Sequence, residues 1–367
     1  MFQNELLRKS NKIGQSIWYD NLSRELLNNG ELKSIIEIGI TGLTSNPSIF
    51  EKAISNSELY DEDIKSLSKR NLSDIDIYEN IAIADIKSAA DLLHDVFVNT
   101  NGNDGFVSIE VNPHLAHDYE QTVIEARRLV NNIDRPNIMI KIPATNVGVK
   151  ALETLIGEGI SVNVTLIFSL DRYASVMESY IRGLKLLYES GRDVSKVFSV
   201  ASFFISRVDV AVDAILNLQQ PDNTASLGVS AISNAKMAYK AFQIAFNDNR
   251  FVDLKKKGAK LQKPLWASTS TKNPQFPDLM YVQELMGPNS INTLPDATLK
   301  LFIDHGIVDD VISDNYETAF EHISTLIDLG INLDEITDKL LSEGLLMFQE
   351  SFDLLLLNIS QKRLSLA

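Results

Sequence analysis

The chain has 367 residues, 44% hydrophobic and 23% charged, enough to bury a large core. Its 49 acidic against 34 basic residues leave a formal charge of −15 with no compensating basic run, so neither nucleic acid nor an anionic membrane is an expected partner. There is no cysteine, which excludes disulfides, thiol catalysis and thiolate metal sites and fits a cytoplasmic setting.

The first residues, MFQNELLRKSNKIGQ, lack the uninterrupted apolar stretch of a signal peptide, and no run of about 18 apolar residues follows. A short β-like segment then recurs eight times: Gln15–Asp20, Gly39–Thr44, Gly105–Asn112, Ile138–Pro143, Ser161–Phe168, Lys196–Ser202, Lys263–Ser268 and Ser290–Thr293. Amphipathic stretches separate them, as in His117–Asn131, where Tyr119, Val123, Ala126 and Val130 fall three or four residues apart. Eight strand–helix alternations predict a closed (β/α)8 TIM barrel, as one domain over 1–367. An open doubly wound sheet usually begins with a glycine-rich turn, and neither G-x-G-x-x-G nor G-x-x-x-x-G-K-[ST] occurs. The long connections 51–104 and 203–262 read as helical insertions. The tail from Pro295 to Ala367 reads as a helical extension packing across the barrel.

Polar residues interrupt these strands in phase. Side chains alternate faces along a strand. In Ile138–Ile142 the three isoleucines share one face, toward the helices, and Met139 and Lys141 point into the barrel. By the same parity Phe106, Ser108 and Glu110 point inward, as do Ser161, Asn163 and Thr165. Valines and Leu166 take the outer face. Asp20 shares the face of Ser16 and Trp18. Asp20, Glu110, Lys141, Asn163 and Thr165 thus converge near the C-terminal ends of their strands, where such barrels carry their active sites. A lone strand lysine could be a snorkelling edge residue, and a lone carboxylate its structural ion partner. Several polar groups at one mouth favour a site, because burying unpaired charge is costly.

The residue types suggest a reaction. An amine attacks a ketone only when neutral, and a dry interior favours the neutral form of a lysine. Such a lysine can form a carbinolamine and then a Schiff base. Dehydrating the carbinolamine needs an acid, and breaking a carbon–carbon bond needs a base. Glu110 and Asp20, separately positioned, can divide that work.

Longer motifs are similar to a known family. Gly42-Leu43-Thr44-Ser45-Asn46-Pro47-Ser48 resembles the T-[ST]-N-P-S signature on the second strand of transaldolases. Ile140-Lys141-Ile142-Pro143-Ala144-Thr145, followed by Asn163-Val164-Thr165, resembles their second signature, which carries the Schiff-base lysine. The likeness continues through Ile109-Glu110-Val111, Ala201–Arg207, Leu265–Pro274 and Asn292–Thr298, so it covers nearly the whole chain. The last two motifs and the length are similar to the longer bacterial members.

The resemblance implies transfer of a dihydroxyacetone unit from sedoheptulose 7-phosphate to glyceraldehyde 3-phosphate. The products are erythrose 4-phosphate and fructose 6-phosphate, in the pentose phosphate pathway. It implies no cofactor and a cytoplasmic monomer or homodimer. Lys141 would form the Schiff base, Glu110 with Thr165 would hold a proton-shuttling water, and Asp20 would take the C4 hydroxyl proton. Asn46 and Asn163 would bind the dihydroxyacetone moiety, Ser202 would position substrate, and Arg207 would bind phosphate. Thr44, Ser268, Ser270 and Lys272 complete the substrate-binding set. Without the motif, Asn46 would read as a turn residue before Pro47 and Arg207 as a surface ion pair. One position departs from the pattern: shorter transaldolases carry an arginine two residues after the serine at Ser268, where this chain has Ser270, and Lys272 is the candidate second cation. Related aldolases carry Gln and Tyr at the positions of Glu110 and Phe204, so these two residues favour the transferase. A non-catalytic phosphosugar-binding barrel would not need Lys141, Glu110 and Asp20 together. His114 and His117 have helical spacing but no H-x-H partner, and read as a helix N-terminus with no metal site.

Overall fold

The computed structural model describes residues 3–219 and 226–366. Eight parallel strands close into one barrel in sequential order. They are β1 Gln15–Tyr19, β2 Leu43–Thr44, β3 Val107–Glu110, β4 Ile138–Pro143, β5 Val162–Ile167, β6 Ser199–Phe204, β7 Gln262–Ala267 and β8 Ser290–Leu294. Helices connect them, so the expected (β/α)8 architecture is present.

Strand limits differ from the sequence reading by a residue or two at most ends, and two strands begin three or four residues later, each for a local reason. Gly39 ends the helix Glu31–Ile38 with φ +134, so β2 begins only at Leu43. Gly42 leaves room for the indole of Trp18, because a Cβ there would sit 2.3 Å from that ring. At the sixth strand, Asp193 caps a 3-10 turn over Val194–Lys196 by accepting from Ser195 N. The ladder therefore starts at Ser199 and runs on to Phe204. Inside β5 the alternation is broken: the register with β6 shifts between Val164 and Ile167, and Leu166 takes a left-handed φ of +60. A β-branched neighbour on each side and a non-glycine αL residue mark this as a strained bulge.

Connection 51–104 is helical, over Asp61–Ser68, Asp74–Leu92 and His94–Asn99 after the end of Pro47–Ser55. Connection 203–262 contains Ser206–Gln219, Ser230–Asn247 and Asn249–Lys255; the part of that expectation falling on 220–225 lies outside the described residues. The tail is helical too and ends in Leu333–Ser365, a 33-residue helix about 50 Å long. It lies across the C-terminal mouth of the barrel. Ser48 Oγ donates to Ser351 Oγ (2.7 Å), Lys362 pairs with Asp61 (2.6 Å) and Arg363 with Asp74 (3.1 Å). On the other side Gly344 meets Leu166, since a Cβ at 344 would lie 2.9 Å from a Leu166 methyl. No helix among the described residues is long and apolar enough to cross a membrane.

Candidate active site

The barrel registers bring the inward polar residues together. Glu110 on β3 is in register with Lys141 on β4, and Lys141 with Asn163 on β5. Lys141 is 5% exposed. Its Nζ donates to the backbone carbonyl of Ser45 at 3.0 Å and stands 3.5 Å from Glu110 Oε2. That separation is an ion pair but long for a charge-assisted hydrogen bond. Glu110 Oε2 and Thr165 Oγ1 are both buried without a hydrogen-bond partner among the described residues. Burial pushes the Glu110 carboxyl up to about 7; the nearby Lys141 opposes this and Asp20 adds to it. A carboxyl near neutrality can both give and take a proton at working pH.

Asp20 follows β1 directly. Burial raises its pKa above the ordinary aspartate value, opposed by a hydrogen bond from Thr44 and by the Lys141 charge. Thr44 Oγ1 donates to Asp20 Oδ1 at 2.6 Å and is 2.7 Å from Thr293 Oγ1. Asn163 is locked by two bonds: its Nδ2 donates to Ser108 Oγ (3.1 Å) and its Oδ1 accepts from Ser202 Oγ (2.7 Å). Asn46 does the turn work its sequence context suggests and faces the site as well. Its Oδ1 accepts from Ile49 N at 3.0 Å, capping Pro47–Ser55, and the residue lines the cavity.

These groups surround a cavity of about 180 Å³ at the C-terminal mouth. Asp20, Thr44, Asn46, Lys141, Thr165, Ser202, Arg207, Ser268, Ser270 and Lys272 all line it. Glu110 and Asn163 adjoin it, Glu110 3.5 Å from Lys141 Nζ and Asn163 2.7 Å from Ser202 Oγ. Arg207, at the start of Ser206–Gln219, is half-buried. Among the described residues its guanidinium has no salt bridge to a carboxylate: it lies 5.5 Å from the Phe204 ring centroid and 3.6 Å from Met347 Sδ. Burial pulls its pKa down while Glu343 pulls it up. It is therefore not the surface ion pair that its bare sequence context would suggest. Lys272 is exposed at the rim. Ser268, left-handed at φ +57, shares a hydrogen bond with Ser206 (3.0 Å), and Ser270 one with Thr298 (2.6 Å). The loop after β7 is thus tied to the segments that follow β6 and β8, and Lys272 on it makes no salt bridge among the described residues.

Groups at the site that were not singled out from the sequence include the Ser45 carbonyl, Thr293 and Phe348. The Ser45 carbonyl is backbone, and carries no sequence signal. Thr293 did carry one: its strand parity and its place beside Asn292 and Leu294. Phe348, whose ring centroid is 5.9 Å from Lys141 Nζ, comes from the C-terminal helix and has no local signature. His114 pairs with Asp353 at 2.8 Å, and Asp118 caps Tyr119–Ile133, so the His114–Asp118 segment is a helix entry. Among the described residues no group of three or more acidic or histidine side chains is arranged to hold a metal ion.

A model of the family described as Transaldolase/Fructose-6-phosphate aldolase matches residues 17–359. The chain belongs to this family. Its bacterial relatives include Transaldolase 2 of Streptomyces avermitilis, 45% identical over 355 residues that cover 96% of this chain and 95% of that one. Transaldolase of Trichodesmium erythraeum is 45% identical over 374 residues, covering 99% and 98%. Transaldolase of Thermobifida fusca is 42% identical over 359 residues, covering 97% and 98%. The family match spans every strand except the first two residues of β1, so the barrel and its mouth are shared features.

Proposed function

We propose that this chain is a transaldolase that carries a dihydroxyacetone unit on Lys141 between phosphorylated sugars. The donor is sedoheptulose 7-phosphate and the acceptor glyceraldehyde 3-phosphate, and the reaction is reversible. The observation that carries this reading is the buried Lys141 amine beside a carboxyl raised toward neutrality, at a cavity also lined by Arg207, which has no carboxylate partner among the described residues.

The chemistry follows from those groups. Lys141 Nζ adds to the ketose carbonyl, giving a carbinolamine. Glu110 supplies the proton with which the hydroxyl leaves as water, and an iminium remains. Asp20 takes the proton of the C4 hydroxyl; the C3–C4 bond breaks, and its electron pair passes into the iminium to give an enamine. Asn163, held by Ser108 and Ser202, and Asn46 hydrogen-bond the retained three-carbon unit. The shorter aldose leaves, the acceptor aldehyde enters, and the same steps run backward. Thr165 and Glu110, each with an unpartnered buried oxygen, are suited to share a water during dehydration and hydrolysis. Arg207 and Lys272 hold the phosphate, the guanidinium by paired N–H donors. A cytoplasmic monomer or homodimer needing no cofactor belongs to the same reading, as does a place in the pentose phosphate pathway.

The test is a reductive trap. The protein is incubated with fructose 6-phosphate, treated with borohydride, and examined by intact mass and peptide mapping. A dihydroxyacetone adduct on Lys141 that depends on borohydride is expected. Prior addition of erythrose 4-phosphate discharges it as sedoheptulose 7-phosphate. An adduct that erythrose 4-phosphate cannot discharge indicates an aldolase. No adduct with either ketose phosphate, in folded protein, overturns the assignment.

A further inference from the structure

Asp20 is held by two hydroxyls in series, and the second has no assigned role. The backbone N–H of Asp20 donates to Leu294 O at 2.9 Å, which fixes the carboxyl at the seam between β1 and β8. Thr44 reaches it from β2, 2.6 Å from Asp20 Oδ1, and Thr293 reaches Thr44 from β8 at 2.7 Å. Thr293 is 3% exposed and points inward to line the cavity.

Counting protons sets the direction of this chain. A hydroxyl has one proton, and an ionised carboxylate only accepts. When Asp20 acts as a base, Thr44 must spend its single proton on Asp20 Oδ1. The contact between the two threonines then has one solution: Thr293 donates and Thr44 accepts. A donor feeding Thr44 polarises its O–H and strengthens the bond to the carboxylate. It also removes the competing rotamer in which Thr44 turns its proton toward β8. The lone pairs of Thr293 are left for the cavity, as an acceptor for a substrate hydroxyl. Asp20 Oδ2 is left without a protein hydrogen bond among the described residues.

We propose that Thr293 is a positioning residue for carbon–carbon cleavage, acting through Thr44, whose sole proton it orients onto Asp20. This rests on the reading of Asp20 as the base. The charged groups facing Asp20 are Lys141 on β4 and Glu110 on β3, with Arg207 and Lys272 across the cavity; Thr293 changes none of them.

The experiment compares Thr293→Val, Thr293→Ser and Asp20→Asn in the full chain, using fructose 6-phosphate and erythrose 4-phosphate. A borohydride adduct formed on Lys141 from free dihydroxyacetone, which needs no carbon–carbon cleavage, serves as the check on a folded, competent site. Thr293→Val keeps the volume and removes the hydroxyl. Its kcat is expected to fall about tenfold, and the acid limb of its kcat/KM profile to move up by about half a pH unit, because the ionised form of Asp20 has lost support. Thr293→Ser is expected to restore both. Equal losses in the valine and serine variants with an unmoved acid limb would mean a packing role, and overturn the inference. Wild-type behaviour in the valine variant overturns it too. If Asp20→Asn retains cleavage, the underlying assignment of the base fails, a result separable from the other two.

Discussion

Replacing Glu110 with glutamine tests the electrostatics of the site in two independent ways. Burial moves the carboxyl from 4.5 to about 7 in the native state. A carboxyl with a raised folded pKa makes the native state hold a proton that the unfolded chain gives up. Stability from this group is therefore fully present below the unfolded value and is lost as pH rises through about 7. At ~1.36 kcal/mol per pH unit, the displacement amounts to roughly 3 kcal/mol withdrawn across that window. With an unfolding entropy of ~2.1 cal/mol/K per residue, that is about 4 °C of Tm for a chain of this length. Glu110→Gln cannot titrate, so the difference between variant and wild-type Tm should change by about that amount, in the variant's favour, between pH 4.5 and pH 8. Losing the ion pair to Lys141 changes the height of the curve, so the pH-dependent part is the quantity to compare. The assay is a thermal melt at half-unit pH steps, beside steady-state kinetics. If Glu110 moves protons during dehydration, kcat falls by roughly 10²–10⁴. A variant with the wild-type pH dependence of Tm would show that Glu110 does not titrate in this window. A variant with kcat within a few-fold of wild type would remove it from proton transfer.

Two further substitutions probe the phosphate side and the roof. Arg207→Ala should raise KM for fructose 6-phosphate about 10- to 100-fold, the scale of a lost charged hydrogen bond, with much less effect on trapping of unphosphorylated dihydroxyacetone; equal effects on both would refute phosphate binding. At position 344 a Cβ alone would lie 2.9 Å from a Leu166 methyl and 3.6 Å from an Arg207 nitrogen, and Gly344→Val adds two branched carbons to that space. It should cost about 1–3 kcal/mol in a denaturant melt and raise KM for the phosphorylated donor, whereas Gly344→Ala, which meets only a movable leucine methyl, should do little; a neutral valine variant would show that the helix is not seated as described.

The inward-facing polar set was legible from the sequence because a pleated strand alternates its side chains with a fixed period, a local property needing no knowledge of neighbours. That parity alone placed Lys141, Glu110, Asn163 and Asp20 on inward faces; the parallel registers set Glu110 beside Lys141 and Lys141 beside Asn163, and Thr44 reaches Asp20 at 2.6 Å. It failed at Leu166, where a bulge interrupts the pleat and the C-terminal helix sits close above. Strand limits were misread where a cap competes with the ladder, at Gly39 and Asp193, because a cap depends on one residue's conformation against its neighbours. Other features are tertiary in kind. The state of Glu110 comes from desolvation, which depends on everything packed around it. Phe348 and Met347, more than 180 residues along the chain from Thr165, reach the site only because their helix folds back over the mouth. The Thr293–Thr44–Asp20 chain closes only where β8 meets β1. Sequence periodicity determines which way a side chain points; which distant segment meets it, and how dry the meeting is, depends on closing the barrel.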